Sequence, residues 1–294
     1  MRKAYSASAL LLALAIAAGT RASQPARQPS LFLGGYRVLA ADFHVHTFPL
    51  NWTTLAPWDV VLEAQRHGLD VIAMAGHNHL WVSQTGRWIS QIIGGPAVLV
   101  SEEVVSPGPK YHLIAVGIQT TVSWRQTAAQ AIAEVHRQGG VAIAAHPEAM
   151  FWPAYDAAAM QVLDAAEVLH PDAYSSPLKY RQMREFFQRK PLTAIGSSDF
   201  HAFQYPGYCR TFVFVRQNTE SGILEALRQG RTVVYDRDGR SYGDPALIQL
   251  AAQNGRLPRL DPAESASRPL VGFSRIAGIL GLLVALIFGR TADR

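Results

Sequence analysis

Between about residues 38 and 250 the chain alternates between two kinds of text. Apolar runs of strand length lie at 38–46 (VLAADFHVH), 69–76 (LDVIAMAG), 97–105 (AVLVSEEVV) and 111–118 (YHLIAVGI). Others follow at 141–147, 165–170, 192–199 and 211–215. Between several of them, the stretches 57–68, 127–140, 176–190 and 219–230 carry apolar residues at helical spacing. Pro57 and Thr127 suit helix starts, and Gly68, Gly139 and Gly230 suit helix ends. Alternation of β and α over this length predicts an α/β fold with a parallel sheet, open or closed into a barrel.

Both ends of the chain read differently. Arg2 and Lys3 precede ten apolar residues at 9–18, and small residues surround position 22. That order of charged start, short apolar middle and small-residue exit predicts a secretory signal peptide over 1–22. Near the other end, 276–289 holds fourteen uncharged residues. At about 1.5 Å per residue it reaches roughly 21 Å, short of a hydrocarbon core of roughly 30 Å. Extension to 270–289 reaches that length with Arg275 snorkelling, and Arg290 and Arg294 follow as the positive-inside rule wants. The expectation is a transmembrane anchor over 270–289, a proline-bearing linker over 253–269, and a domain over 31–250 exported to the far side of the membrane.

Composition narrows the function classes. In 294 residues, 49% are hydrophobic and 17% charged, enough apolar material for a sizeable core. The single cysteine, Cys209, excludes an internal disulfide framework and an all-cysteine zinc site. The net charge of +5 would suit nucleic-acid binding, but residues 1–22 and 268–294 each carry +3, leaving −1 between them. The basic excess therefore belongs to the membrane-directed ends, and the central domain has no nucleic-acid footprint.

Chemistry enters through the polar residues at the strand ends. His44, His46, His77, Glu103, His146, Asp199 and His201 fall at or just beyond the ends of expected strands, while His112 opens one. In α/β barrels the site gathers at such ends. His44 and His46 alternate onto one face of a strand, and Asp199 and His201 repeat the spacing. Together these groups offer mixed nitrogen and oxygen ligands for two or three divalent ions, with zinc, manganese and iron all suited.

In their order, these segments resemble the PHP (polymerase and histidinol phosphatase) metallohydrolases over about residues 38–216. DFHVHT resembles the family's opening motif, LDVIAMAGHNH its second, and EEVVSPGPKYHLIAVGI its third. AIAAHPE is similar to the fourth and IGSSDFHA to the last. The resemblance implies a distorted (β/α)7-type barrel. It also implies three ion sites: His44, His46, Glu103 and Asp199; Glu103, His112 and His146; and His77 with His201. Two positions depart from the pattern, Asn51 and Gly76, where acidic or imidazole groups are usual; His79 is extra.

The implied activity is a metal-dependent hydrolase acting first on phosphoesters. A hydroxide bridging two ions would attack, Asp199 would serve at the reacting centre, and His77 or His201 would protonate the leaving group. A carboxylic or carbamate ester hydrolase and a non-catalytic metal-binding surface module are the alternatives. An amidohydrolase-type barrel also opens with H-x-H, but no strand end offers its bridging lysine. Arg210, Lys179 and Arg181 are candidates to clamp an anionic small-molecule substrate. His67, His136 and Glu102 read as surface groups and Cys209 as a bystander. Glu167 and His170 either border the pocket or are structural. Trp52, Trp58, Trp81, Trp88 and Trp152 hint at an apolar pocket wall.

Overall fold

A computed structural model of the chain describes residues 2–22, 30–48, 51, 53, 55–108, 110–201, 205–254, 257 and 268–289. Most of the expected 253–269 linker, the residues after Ala22, Trp52, Arg290 and Arg294 lie outside the described residues.

Helix α1 (Arg2–Ala22) comes first, followed by β1 (Leu31–Leu33), β2 (Tyr36–Val45), α2 (Pro57–Arg66), β3 (Val71–Met74) and β4 (Gly76–His77). Next are α3 (Trp81–Ile93), β5 (Ala97–Leu99), β6 (Ser101–Val105), β7 (His112–Val116), α4 (Ala128–Arg137) and β8 (Val141–Ala144). A 3-10 turn at Ala149–Ala154 leads to α5 (Ala157–Val162), β9 (Ala165–Leu169), α6 (Asp172–Ser175), α7 (Pro177–Phe187) and β10 (Thr193–Gly196). The remainder is β11 (Thr211–Val215), α8 (Glu220–Arg228), β12 (Thr232–Tyr235), β13 (Ser241–Gly243), α9 (Pro245–Gln253) and α10 (Arg268–Gly289).

Local sequence explains several boundaries. Pro57 occupies the first turn of α2, where its missing N–H costs nothing. Thr127 accepts from Gln130 N–H and closes a capping box at the start of α4. Gly68, Gly139 and Gly230 follow α2, α4 and α8 with φ of 63°, 78° and 68°, the left-handed turn that ends a helix. Helix α3 has no counterpart among the expected helices. Its Gly86 is buried against Met74, so the packed stripe lacks the large apolar side chain that periodicity looks for.

The strands fall into two sheets, where the family resemblance implies a distorted (β/α)7-type barrel. One runs β13-β12-β11-β2-β3-β5 with β1 beside β2, and the other runs β10-β9-β8-β7-β6-β4. Only part of the pairing is parallel: β2–β3–β5, β8–β9–β10 and β4–β6 are, whereas β11 against β2 and β6–β7–β8 are antiparallel. The apolar runs 69–76 and 97–105 each change sheet partway. Ala75 N–H still bonds Val45 O of β2 (2.9 Å) before Gly76 and His77 pair with β6, and Val100 O accepts from Gly117 N–H (2.8 Å), just past β7 of the second sheet. Between the sheets, Leu39, Ala41, Ala73, Ile114, Ile143 and Ile195 form a shared interior. Outside, α2, α3 and α9 cover the first sheet, and α4, α5 and α7 the second.

Candidate metal centre

Strand ends bring the candidate ligands together. His44 and His46, at the end of β2, place their Nε2 atoms 3.0 Å apart. Strand β6 carries Glu103 directly opposite His77 of β4, and β7 opens with His112 opposite Val105. His146 lies two residues past β8 with φ of 26°, and Asp199 three past β10 with φ of 43°. Left-handed backbone costs a side-chain-bearing residue on the order of 1–3 kcal/mol and gathers at functional sites. Here it aims two candidate ligands inward.

Glu103 is the hub. His44, His46, His77, His112 and His146 each bring a ring nitrogen within 3.5 Å of its carboxylate, His112 Nδ1 closest at 2.8 Å and His77 Nε2 at 2.9 Å. Asp199 Oδ1 lies 2.8 Å from His46 Nε2 and 3.1 Å from His44 Nε2. Among the described residues, four ligand groups are compact enough for one ion each: His44–His46–Glu103, Glu103–His112–His146, His46–Asp199–His201 and His44–His146–Asp199. The first two fall within the ligand sets implied for the first two ions. In place of the His77–His201 pair, His201 groups with His46 and Asp199.

The donors fit divalent ions. Glu103 Oε1, Asp199 Oδ1 and His112 Nδ1 are buried without a well-directed hydrogen bond, although polar neighbours crowd them. Lone pairs converging on a common point produce that pattern, and imidazole with carboxylate is the usual donor set for zinc, manganese or iron.

Electrostatics follow from packing ions without water. Burial alone would lower His44, but Asp199, Glu167 and Glu103 hold it well above the ordinary imidazole value. Its neighbour His46 is pushed down to about 4 by burial, with the His44 charge adding to the shift. His146 rises to about 9, because contact with Glu103 and the charges of Asp199, Glu103 and Glu167 outweigh its burial. Burial opposes the ionised forms of Glu103 and Asp199, yet the imidazoles keep both well below the carboxylate range. The pocket is a mutually neutralising set of acids and imidazoles, poised to exchange protons for cations.

Two further residues join this set. Glu167, fully buried in β9, accepts from His44 Nδ1 (2.9 Å) and from His146 N–H (2.6 Å). His170 Nε2 lies 3.1 Å from Asp199 Oδ2. The signal for both was present: 165–170 ends, like its neighbours, in an acid and a histidine after an apolar run.

The departures also have a physical reading. A side chain at Gly76 would run into the His79 ring, which stacks on Trp81 with centroids 5.7 Å apart. His79 thus fills the space an acidic residue would take. Burial, with His77 nearby, lowers it to about 4. Asn51 is buried, with no side-chain hydrogen bond among the described residues.

Other candidates sit elsewhere. Arg210 donates Nε to Gly207 O (3.0 Å) and Nη1 to His67 O (3.2 Å), so the expected substrate clamp braces loop carbonyls. Arg181 is exposed beside Glu185. Lys179 pairs with Asp172 (2.6 Å) and Glu148 (3.0 Å), and Asp172 N–H donates to His170 Nδ1. Of the three cations it alone connects to the cluster. His67 is not a surface group: it is buried and stacked on Tyr205 at 4.1 Å. Glu102 is likewise buried, accepting from Val122 N–H (2.5 Å), and burial raises it to about 7. Trp58 packs against the terminal helices, Trp88 is exposed, and Trp152 donates to Pro147 O.

Known proteins share parts of this fold. Residues 177–232 match a family described as PHP-associated (PHP_C). Among solved structures, similarity extends to a two-domain protein from Bacteroides vulgatus containing a predicted PHP-like metal-dependent phosphoesterase. The two are 22% identical with a TM-score of 0.63, over 79% of this chain and 74% of that one. An amidohydrolase from Chromobacterium violaceum is 13% identical with a TM-score of 0.48, over 68% of this chain and 99% of the other. The lesion-specific endonuclease of Pyrococcus furiosus is 13% identical with a TM-score of 0.42, over 80% and 70%. No curated protein matches the chain. The chain thus shares the fold of a protein containing a PHP-like domain, and its residues 177–232 match the PHP-associated family.

Proposed function

We propose that the domain over 31–250 is a metal-dependent hydrolase whose substrates are small phosphoesters. The supporting observation is the convergence of His44, His46, His77, His112 and His146 on Glu103, with Asp199 and His201 alongside. Divalent cations held there would supply Lewis acidity and a lowered pKa for water. Glu103 would be shared between ions, and Glu167 would fix the ring of His44 through Nδ1.

His77 and His201 are the most open imidazoles of the cluster, with side chains 43% and 40% exposed. They stand where a leaving group could receive a proton. Lys179, on the acidic rim formed by Asp172 and Glu148, is the cation best placed to orient an anionic substrate. The segment 270–289 is read as anchoring this domain outside the cytoplasm.

The test is turnover of metal-loaded protein on nitrophenyl phosphate, bis-nitrophenyl phosphate, nitrophenyl acetate and a nitrophenyl carbamate. Phosphoester hydrolysis lost with Glu103→Gln supports the proposal. Preference for the acetate or carbamate would assign the site to carboxylic or carbamate esters. Stoichiometric metal without turnover on any of them would mark a binding module.

A further inference from the structure

Two helices distant in sequence form a single unit. Helices α1 and α10 run antiparallel: Ser8 Oγ donates to Gly281 O (2.7 Å), and Ser274 Oγ donates to Ala15 O (2.6 Å). A side chain at Gly281 would sit against Leu11 and Leu12 at 3.0–3.2 Å, so the open backbone lets the helices close on each other. Hydroxyl-to-carbonyl bonds and small residues at the seam are how helices associate where no hydrophobic effect drives them.

The outer face of the pair is apolar and bare. Leu10, Leu14, Phe273, Ile276, Leu280 and Ile287 are all exposed. Among the described residues, Tyr5–Ala22 of α1 is long and apolar enough to cross a hydrocarbon core of roughly 30 Å, and α10 pairs with it through a shorter apolar stretch, Pro269–Ala285. Charge fixes the orientation. Antiparallel pairing puts the Arg2–Lys3 end of α1 beside the end of α10 that Arg290 and Arg294 follow in sequence. Positive residues gathered at one end belong on the cytoplasmic side. Toward the opposite end the domain meets both helices: Trp58 lies against Gly278, midway along α10, Leu62 lies against Gly19, and Arg275 pairs with Glu63 at 3.1 Å.

A cleaved signal peptide would leave this seam unfilled. We propose instead that Arg2–Ala22 stays attached and, paired with Arg268–Gly289, forms a two-helix membrane anchor presenting its apolar outer face to lipid. Both cationic ends lie in the cytoplasm and the domain lies across the membrane. This anchor is independent of the hydrolase reading.

The test uses the full chain, expressed in bacterial cells with a tag after Arg294 and recovered from membranes. Intact mass should include residues 2–22, the protein should resist carbonate extraction, and the pair Ser8→Cys with Gly281→Cys should form an intramolecular disulfide on oxidation. Should that pair impair insertion, Ala15→Cys with Ser274→Cys reports the same seam; Ser8→Cys with Ile276→Cys should not cross-link. A mature protein starting near Ser23, release into carbonate, or intact protein in which neither seam pair cross-links would each overturn the proposal.

Discussion

His44 Nδ1 lies 2.9 Å from Glu167 Oε1, both side chains wholly buried, which leaves Nε2 of His44 turned toward Glu103 and Asp199. A carboxylate behind a ligand histidine sets its tautomer and its basicity. Replacing Glu167 with Gln keeps the shape and removes the charge. Metal affinity is expected to fall roughly 10–100-fold with the fold retained. Competitive chelator titration, alongside circular dichroism, reads both; unchanged affinity would make Glu167 a packing residue only.

Glu103→Gln should have the larger effect. One oxygen becomes an amide that cannot serve as an anionic ligand among five imidazoles. Elemental analysis should show metal content reduced and any hydrolase activity lost together. Full stoichiometry in the variant would rule out a shared carboxylate.

Removing metal from the loaded wild-type protein should destabilise it. At free metal one hundred times the dissociation constant, binding contributes about 2.7 kcal/mol. For a chain of this size that corresponds to roughly 5–10 °C in Tm. A thermal melt with and without chelator measures it, and coincident curves would mean that no ion is bound to the native state.

The Gly76–His79 relation invites a paired substitution. Gly76→Asp alone should destabilise the protein by about 1–3 kcal/mol, since its Cβ meets the His79 ring. Adding His79→Ala should restore much of that loss by opening the space. Denaturant unfolding of the single and double variants gives the comparison; additive losses would show that the two positions do not compete.

His67 should act as an acid-sensitive element of stability. Burial lowers it to about 4, whereas in the unfolded chain it titrates near 6.5. Between those values the unfolded state binds the extra proton, so stability falls as pH drops from 6.5 to 4 and is complete above 6.5. The contribution is at most about 3 kcal/mol. His67→Gln should flatten this part of the stability–pH curve; an unaltered slope would place the titration elsewhere.

Most of the histidine and carboxylate cluster was legible because its residues recur at strand ends, a position that period-two patterning locates well. His44, His46, Glu103 and His146 need only the strands to be found. The strand partners were less legible. Nothing in AVLVSEEVV marks Val100 as the point where the run leaves one sheet for the other, because that choice depends on Gly117 offering its N–H. Solvent exposure was misjudged for His67 and Glu102, whose polarity suggested surface while tertiary packing enclosed them. Arg210 shows the converse: a cation near a motif can be occupied by loop carbonyls that only folding brings close. Helix α3 was hidden by serines and a glycine on its packed side.

The segment from Ala97 to Val105 passes without interruption from the edge of one sheet, as β5, into the other, where β6 lies between β7 and β4. Peeling either half away would tear the other's hydrogen bonds through the same covalent thread. Heating should therefore melt the domain in one cooperative calorimetric step, with no half-folded species surviving.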